Sequence, residues 1–251
     1  MADPSLVASH PEVGQQLDAR GSQRARLLEG MIQAVAEKGY VAATVADVVR
    51  AARVSRGTFY AQFASKEDCF LDAYNYGIDV MVQRIRAAIR AEQGDWVARL
   101  RTGLRAYLET LAGEPRFART HLFEVHLAGP RAGAERDAAL RAFADRYRSS
   151  FRAALRERED ELARTGARRA ALRELPPLRM PSDDALFILS AGVDQLVCAR
   201  VRAGELALLP DLTDELTLTA VAFLEGVAQV PFPASRGLAA AIHPTTPEEG
   251  S

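Results

Sequence analysis

The chain has 251 residues, of which 48% are hydrophobic, and its formal net charge at pH 7 is −1. This composition excludes a disordered protein, and the length allows one large domain or two modest domains with a buried core. The longest apolar run, residues 185–193, is too short to span a bilayer, so no membrane association is expected.

The two ends of the chain are polar and broken by proline and glycine. We expect residues 1–20 to form a disordered arm and residues 231–251 a disordered tail. The N-terminus lacks the basic start and apolar stretch of a signal peptide. Cys69 and Cys198 have no metal-ligand spacing and are too few for a disulfide framework. These features favour a reduced, cytoplasmic setting.

Residues 44–70 carry three helix-start signals at short spacing. Thr44, Ser55 and Ser65 each offer a side-chain oxygen that can accept a hydrogen bond from the backbone N–H groups of a first helical turn. An aspartate follows Thr44 and Ser65 by three positions, which is a variant of the reciprocal capping pattern. The segment therefore predicts two short helices joined by a tight turn and then the start of a third, which is a helix-turn-helix. A helix over residues 22–38, closed by Gly39, is predicted ahead of it.

The second helix of this pair has two contrasting faces. Phe59 and Phe63 are four positions apart and are expected to point into the domain. The outer face is then left with Arg56, Gly57, Thr58, Tyr60, Ala61 and Gln62. The second helix of a helix-turn-helix enters the DNA major groove, where such side chains read base edges.

Each outer residue suits a different part of a duplex. Arg56 can bond guanine, Gln62 can pair with adenine, and the methyl groups of Thr58 or Ala61 can touch that of thymine. Gly57 removes bulk where the helix backbone comes closest to the groove. Phosphate oxygens would be contacted by the hydroxyls of Thr44 and Tyr60 and by Lys66.

The segments K-G-Y, T-V-A-D-V and A-R-V-S-R-G-T-F-Y-A-Q-F-A-S-K-E-D, in this order, are similar to the DNA-binding domain of the tetracycline-repressor (TetR) family. The resemblance covers residues 24–75. It implies a three-helix N-terminal domain on a helical domain that dimerises and binds a small ligand. It also implies DNA contacts at Thr44, Ser55, Arg56, Gly57, Thr58, Tyr60, Gln62 and Lys66.

Two residues depart from the family pattern. Arg53 stands in the turn where glycine is usual, and a non-glycine residue at positive φ costs on the order of 1 kcal/mol. Val49 stands where a small residue is usual at the crossing of the two helices. The charge balance suits DNA nonetheless, because residues 20–69 contain eight Lys or Arg and only five acids. Arg20, Arg24 and Arg26 are candidates for further phosphate contacts.

The remainder predicts an all-α protein, with a helix-turn-helix domain over residues 21–68 and a helical ligand-binding and dimerisation domain over residues 69–230. Helices are predicted from Ser65 to a break at Gly94, from a cap at Asp95, from Pro115, over 134–164 and from Ser182 to Gly204. A last helix is predicted to open at Pro210-Asp211. Residues 165–181 are predicted to be a loop.

The last two helices, at about 182–203 and 211–228, are apolar on more than one face. A helix with two buried faces needs a second packing partner. The sequence therefore favours a homodimer in which each subunit gives two helices to a four-helix interface. Two core helices of a monomer are the alternative.

Aromatic residues on several helices are expected to surround one ligand cavity, with a few polar groups among them. The aromatic candidates are Trp96, Tyr107, Phe117, Phe143, Tyr147 and Phe187, and the polar candidates are His121, Glu124, Asp194 and Gln195. Taken singly, most aromatics at helical spacing are core, and a lone histidine is usually structural. Asp194 and Gln195 can instead bond across a dimer axis.

No catalytic set, phosphate loop or cofactor motif is present, so the sequence predicts neither an enzyme nor a bound cofactor or metal. The hypothesis is a one-component transcription regulator, a repressor, that binds a pseudo-palindromic operator as a homodimer and is released by a small apolar effector. It would be cytoplasmic, and associated with the nucleoid when bound to DNA. The alternative is a helical small-molecule binder or metal sensor whose N-terminal helices do not contact DNA.

Overall fold

A computed structural model describes residues 23–164 and 180–229, which form helices and their connections. The two predicted disordered ends and nearly all of the predicted loop at 165–181 lie outside these residues. Within the described ranges no strand is present, and no helix is long and apolar enough to cross a membrane.

Helix bounds agree with the capping signals at most positions. The helices are α1 (Gln23–Lys38), α2 (Val45–Ala52), α3 (Arg56–Gln62), α4 (Lys66–Ala91), α5 (Trp96–Gly113), α6 (Pro115–Leu122), α7 (Pro130–Arg164), α8 (Asp183–Arg202) and α9 (Thr213–Gln229). Two 3₁₀ segments, Glu124–Leu127 and Leu206–Leu212, precede α7 and α9.

Two helix starts differ from the sequence prediction. Helix α7 begins at Pro130 rather than at residue 134, because Gly129 takes a left-handed φ of 99° and the proline then suits a first helical position. Helix α9 begins at Thr213 rather than at Asp211, because Pro210 and Asp211 belong to the 3₁₀ segment. The Thr213 hydroxyl donates to the Pro210 carbonyl at 2.6 Å and joins the two helices.

Helices α1 and α2 cross at Gly30, a position that the sequence analysis did not single out. A Cβ there would lie 2.8 Å from the Val48 carbonyl oxygen and 2.9 Å from the Ala52 nitrogen. The small residue at the crossing is therefore on α1, and Val49 on α2 is accommodated half-buried beside the core.

The turn between α2 and α3 has the geometry expected of the family despite its arginine. Arg53 adopts φ 53° and ψ 47°, the left-handed conformation that a glycine usually takes, and its N–H lies against the Val49 and Arg50 carbonyls. Its side chain is exposed, so the substitution adds backbone strain but no steric clash.

Helix α4 connects the two parts of the chain. It has 26 residues, which corresponds to about 39 Å. Its first turns bury Phe70 against Tyr40 of the N-terminal part, and its later turns bury Tyr74, Ile78, Met81 and Ile85. The predicted domain boundary at residue 68 thus lies inside one continuous helix.

Candidate DNA-binding surface and ligand cavity

The outer face of α3 is open to solvent, as the sequence predicts. Ser55 caps the helix by accepting a hydrogen bond from the Thr58 N–H at 3.0 Å. Phe59 and Phe63 are buried beneath it. Arg56, Gly57, Ala61 and Gln62 are exposed, and Tyr60, at 59% exposure, projects a large ring into solvent. This surface, residues 55–62 on the side away from Phe59, is called the α3 face below.

Thr44 is committed to the capping box of α2. Its hydroxyl donates to the Asp47 carboxylate at 2.7 Å, and the Asp47 carboxylate also accepts from the Thr44 N–H at 3.0 Å. Lys38 and Arg50 donate to the same carboxylate, each at 2.6 Å. These bonds, that of Lys38 first, hold the pKa of Asp47 well below its usual range. These bonds therefore fix the start of α2.

Lys66 is more buried than expected for a lysine that is free to bind a phosphate. Its ammonium donates to the carbonyls of Tyr40 at 2.8 Å and Ala43 at 3.0 Å, and stands 4.1 Å from the centre of the Tyr40 ring. Partial burial lowers its pKa. Lys66 thus ties the start of α4 to the connection between α1 and α2, and one of its three N–H bonds is left for a phosphate.

Of the additional arginine candidates, Arg24 is held by the protein itself. It forms an ion pair with Asp72 of α4 and lies 4.6 Å from the centre of the Phe63 ring. It therefore fastens α1 to α4 beside the end of α3. Arg20 lies outside the described residues.

The second part of the chain contains a partly open cavity of about 60 Å³ between α4, α5, α6, α7 and α8. Its walls are mostly apolar and include Ile85, Ile89, Leu100 and Leu104. Five of the ten sequence candidates for ligand contact line it: Tyr107, His121, Phe143, Tyr147 and Asp194.

The other five candidates do not line this cavity, which corrects the expectation that all ten surround one space. Trp96 packs edge-on against Phe151, and Phe117 covers Gly77 of α4. Phe187 lies under the guanidinium of Arg141. Glu124 lies at the junction of the two domains, where it accepts from the Tyr40 N–H. Gln195 lies on the exposed side of α8.

The most polar part of the cavity includes a residue that the sequence analysis missed. Arg136 is only 4% exposed and forms an ion pair with Asp194, which is also 4% exposed. It precedes Leu140 by one turn, on the same apolar seam of α7 that carries Phe143 and Tyr147. The position of Arg136 on the apolar seam could have indicated its burial. It was overlooked because α7 carries many other arginines on its opposite, solvated face.

His121 stands beside this ion pair and is uncharged. Burial first, and the nearby Arg136 next, lower its pKa to about 3. Its ring is stacked on Phe117 at 5.4 Å and on Tyr74 at 5.7 Å between centroids. His121 therefore connects the cavity wall to both α4 and the rest of α6.

Helix α6 and the 3₁₀ segment after it contact the N-terminal helices directly. The Glu124 carboxylate accepts from the Tyr40 N–H at 2.7 Å and from Arg119 Nε at 3.0 Å. Arg119 also donates to the Ala36 carbonyl at 3.3 Å. We name this cluster, Arg119 and Glu124 with Ala36 and Tyr40, the α6 junction.

Helices α8 and α9 each expose a stripe of mostly apolar or small residues. On α8 the exposed positions Ile188, Gly192, Gln195 and Ala199 repeat at helical spacing, and Ile188 is 62% exposed. On α9 Leu218 is 72% exposed and Ala222 follows it by one turn. Gln195 thus lies on this stripe and not in the cavity.

These observations define a class: a helix-turn-helix domain joined through a long helix to a helical domain with an internal cavity. Residues 27–73 match the sequence profile of the family described as bacterial regulatory proteins, tetR family. Residues 27–73 are therefore similar in sequence to the DNA-binding domain of the tetR family, which confirms the resemblance drawn from the motifs.

Solved structures with the same fold extend the likeness to most of the chain. The transcriptional regulator FadR from Bacillus subtilis, solved in complex with stearoyl-CoA, has a TM-score of 0.61 at 16% identity over 79% of this chain and 97% of its own. The fatty acid degradation regulator FadR from Bacillus halodurans has a TM-score of 0.59 at 20% identity over 80% and 97%.

A transcriptional regulator from Rhodococcus sp. Rha1 gives a TM-score of 0.58 at 20% identity, over 84% of this chain and all of its own. The comparison with curated proteins found no match. The chain thus has the fold of TetR-family transcriptional regulators. In the described ranges, no group of three or more His, Cys, Asp or Glu side chains is arranged to hold a metal ion.

Proposed function

We propose that this protein is a ligand-responsive transcription regulator, a repressor, that binds a pseudo-palindromic operator as a homodimer and leaves it when a small effector fills the cavity. The observation that carries the proposal is the α3 face, where an arginine, a tyrosine and a glutamine are exposed on a helix whose position is fixed by the core below it.

Each side chain of the α3 face has a role in this proposal. Arg56 bonds a guanine and Gln62 an adenine in the major groove, while Thr58 approaches a thymine methyl group. Tyr60, Ser55 and Lys66 contact phosphates and fix the register of the helix, and Gly57 allows the close approach. Thr44 can donate to a phosphate only if its hydroxyl exchanges the hydrogen bond to Asp47 for one to the DNA. Among the described residues no hydrogen bond or ion pair holds the Arg56 side chain, so a base edge does not have to displace an internal partner.

The exposed stripe on α8 and α9 supports the homodimer. The same stripe of a second copy can bury these apolar residues. Such an isologous contact relates the two α3 faces by a two-fold axis. Small residues such as Gly192 and Ala199 let the helices approach closely. Such a pair requires two half-sites separated by about one helical turn of DNA or a multiple of it.

Through the α6 junction, a displacement of the cavity wall by the effector can be transmitted to the N-terminal helices. The cavity is narrow, with a volume of about 60 Å³, so we expect an effector larger than a few water molecules to displace the side chains that line it. His121 is one of these walls, and α6 also carries Arg119, which bonds α1 directly. Displacing α6 would rotate the N-terminal helices relative to the dimer axis. A coupling of about 1–3 kcal/mol would weaken operator binding roughly 5–150-fold.

Selection of binding sites from random duplexes by the purified protein tests the proposal. The expected outcome is enrichment of one sequence with two inverted half-sites. If no sequence is enriched, the alternative function stands: a helical small-molecule binder whose N-terminal helices do not contact DNA.

Arg56→Ala is expected to weaken binding to the selected site by about 1–3 kcal/mol and to remove the preference at one base pair of each half-site. The reason is that Arg56 supplies the bidentate donor of the α3 face. Titrations of labelled duplexes carrying each base at each position measure this effect. Arg105→Ala, at an exposed arginine of α5, is the control and should change nothing. A uniform loss for all sequences would assign Arg56 to a phosphate instead.

Ile188→Asp combined with Leu218→Asp is expected to convert the dimer to a monomer, because four charges would enter one apolar interface. Light scattering after gel filtration measures the mass, and the selected operator should be bound no better than random DNA. Leu127→Asp is the matched control, since Leu127 is 56% exposed but lies outside the stripe. A double variant that stays dimeric would show that another surface forms the interface.

A further inference from the structure

The cavity has a polar closed end and a partly exposed end. Arg136, Asp194 and His121 are buried at the closed end. Phe143, Arg146 and Ser150 lie further along α7 and are only partly buried. Arg136 and Arg146 are ten residues apart, which corresponds to roughly 15 Å of helix. Between them the walls are aliphatic and aromatic.

Two buried polar atoms at the closed end, Arg136 Nη1 and His121 Nδ1, have no hydrogen-bond partner within the described part of the chain. The hydroxyl of Tyr74, whose ring stacks on His121, also has none. The ion pair with Asp194 uses Arg136 Nη2. The Tyr74 hydroxyl lies close to Arg136 and interacts with its guanidinium, although no hydrogen bond of ordinary distance and angle joins the two groups. Buried polar groups are nearly always paired, so this end is arranged to receive a polar group from outside the chain.

The charges at the closed end sum to zero. Asp194 compensates Arg136, and burial keeps His121 uncharged by lowering its pKa to about 3. An ionised headgroup placed here would be a buried charge without a counter-ion, which is strongly unfavourable. A neutral group with a hydrogen-bond acceptor, in contrast, can take the free N–H of Arg136 without adding charge.

We propose that the cavity selects an uncharged amphiphile: an aliphatic chain lies between α4, α5 and α7, and a hydroxyl or carbonyl oxygen at one end accepts a hydrogen bond from Arg136 Nη1. This inference rests on the proposed effector role of the cavity and names the chemical class of the effector.

An acid held at the open end is the competing arrangement. Arg146 lies there half-buried, donates to the Ala142 carbonyl at 2.6 Å, and stands 5.2 Å from the centre of the Phe143 ring. Burial and the nearby Arg86 lower its pKa. A carboxylate could pair with Arg146, whose Nε is also buried without a hydrogen-bond partner, while its chain pointed inwards. The polar atoms at the closed end would then stay unpaired. The two arrangements predict opposite preferences between an alcohol and an acid of equal length.

Calorimetric titration of the full chain with n-octanol, octanoate and octylammonium at neutral pH tests the proposal. We expect octanol to bind at least about tenfold more tightly than either ion. Arg136→Met combined with Asp194→Leu removes the ion pair as a unit and should weaken octanol binding about tenfold. His121→Phe keeps an aromatic ring but removes Nδ1. This single, conservative change tests the same end of the cavity and should also weaken octanol binding.

Arg148→Met combined with Asp183→Leu is the matched control. This pair also joins α7 to α8, at 2.5 Å, but Asp183 is exposed and neither residue lines the cavity. Octanol binding should be unchanged in it. The proposal is overturned if octanoate binds as tightly as octanol, if Arg146→Met is the variant that abolishes binding, if neither closed-end variant weakens octanol, or if no member of the series binds.

Operator binding is measured on the same samples. Octanol that binds the cavity but leaves the operator complex intact would remove the effector role while the chemical selectivity of the cavity stood. Conversely, if octanol, octanoate and octylammonium all release the operator equally well, the effector role stands and the proposed selectivity for an uncharged ligand is wrong.

Discussion

Replacing Arg136 alone by methionine is expected to lower the free energy of unfolding by about 3–5 kcal/mol. The substitution leaves the Asp194 carboxylate 4% exposed and without its counter-ion, beside walls that are mostly apolar. Urea unfolding followed by circular dichroism measures the change. Because a domain of this size is held by only about 5–15 kcal/mol, such a loss would also reduce the yield of folded protein.

Two further variants separate the buried charge from lost packing. Arg136→Met combined with Asp194→Leu should recover most of the stability, since replacing both partners of a buried pair by apolar residues is often neutral. Arg148→Met breaks an ion pair between the same two helices at an exposed site, and should cost less than about 1 kcal/mol. If Arg136→Met lowers the free energy of unfolding no more than Arg148→Met does, Asp194 does not carry a buried charge.

Gly30→Ala is expected to destabilise the N-terminal domain by about 1–3 kcal/mol and to weaken operator binding. Alanine in place of glycine ordinarily stabilises a helix by up to about 1 kcal/mol, so the predicted sign is reversed. The reason is that the new methyl group would meet the backbone of α2, with Val48 O at 2.8 Å and Ala52 N at 2.9 Å. Helix α2 must move away, and α3 moves with it.

Gly133→Ala on α7 is the matched control, because a Cβ at Gly133 meets no atom within 4 Å. It should leave stability unchanged or raise it by a few tenths of a kcal/mol. Thermal unfolding of both variants measures the difference. Equal stabilisation by the two alanines would mean that α1 and α2 are not in close contact at their crossing.

The elements that sequence reasoning located are those encoded by local signals. Thr44, Ser55, Ser65, Asp95 and Ser182 each cap the helix predicted to follow them, since a cap needs only the next three residues. The division of α3 into a buried and an exposed face follows in the same way from the spacing of Phe59 and Phe63.

The cavity was only partly predicted, because it depends on how distant helices pack. Periodicity shows that Trp96 and Phe117 are inward-facing but not which neighbour they face, and both proved to pack away from the cavity. Glu124 looked like a ligand group and instead accepts the Tyr40 N–H, 84 residues away in sequence. Arg136 was missed because burial of an arginine depends on a partner, Asp194, on another helix.

The central claim is that the α3 face contacts DNA, and oxidative footprinting of side chains tests it most directly. Tyr60 and Leu208 have nearly equal exposure, 59% and 57%, but only Tyr60 lies on the α3 face. We predict that the selected operator lowers the oxidation rate of Tyr60 several-fold and leaves that of Leu208 unchanged. Unaltered oxidation of Tyr60 in a saturated operator complex would contradict the account.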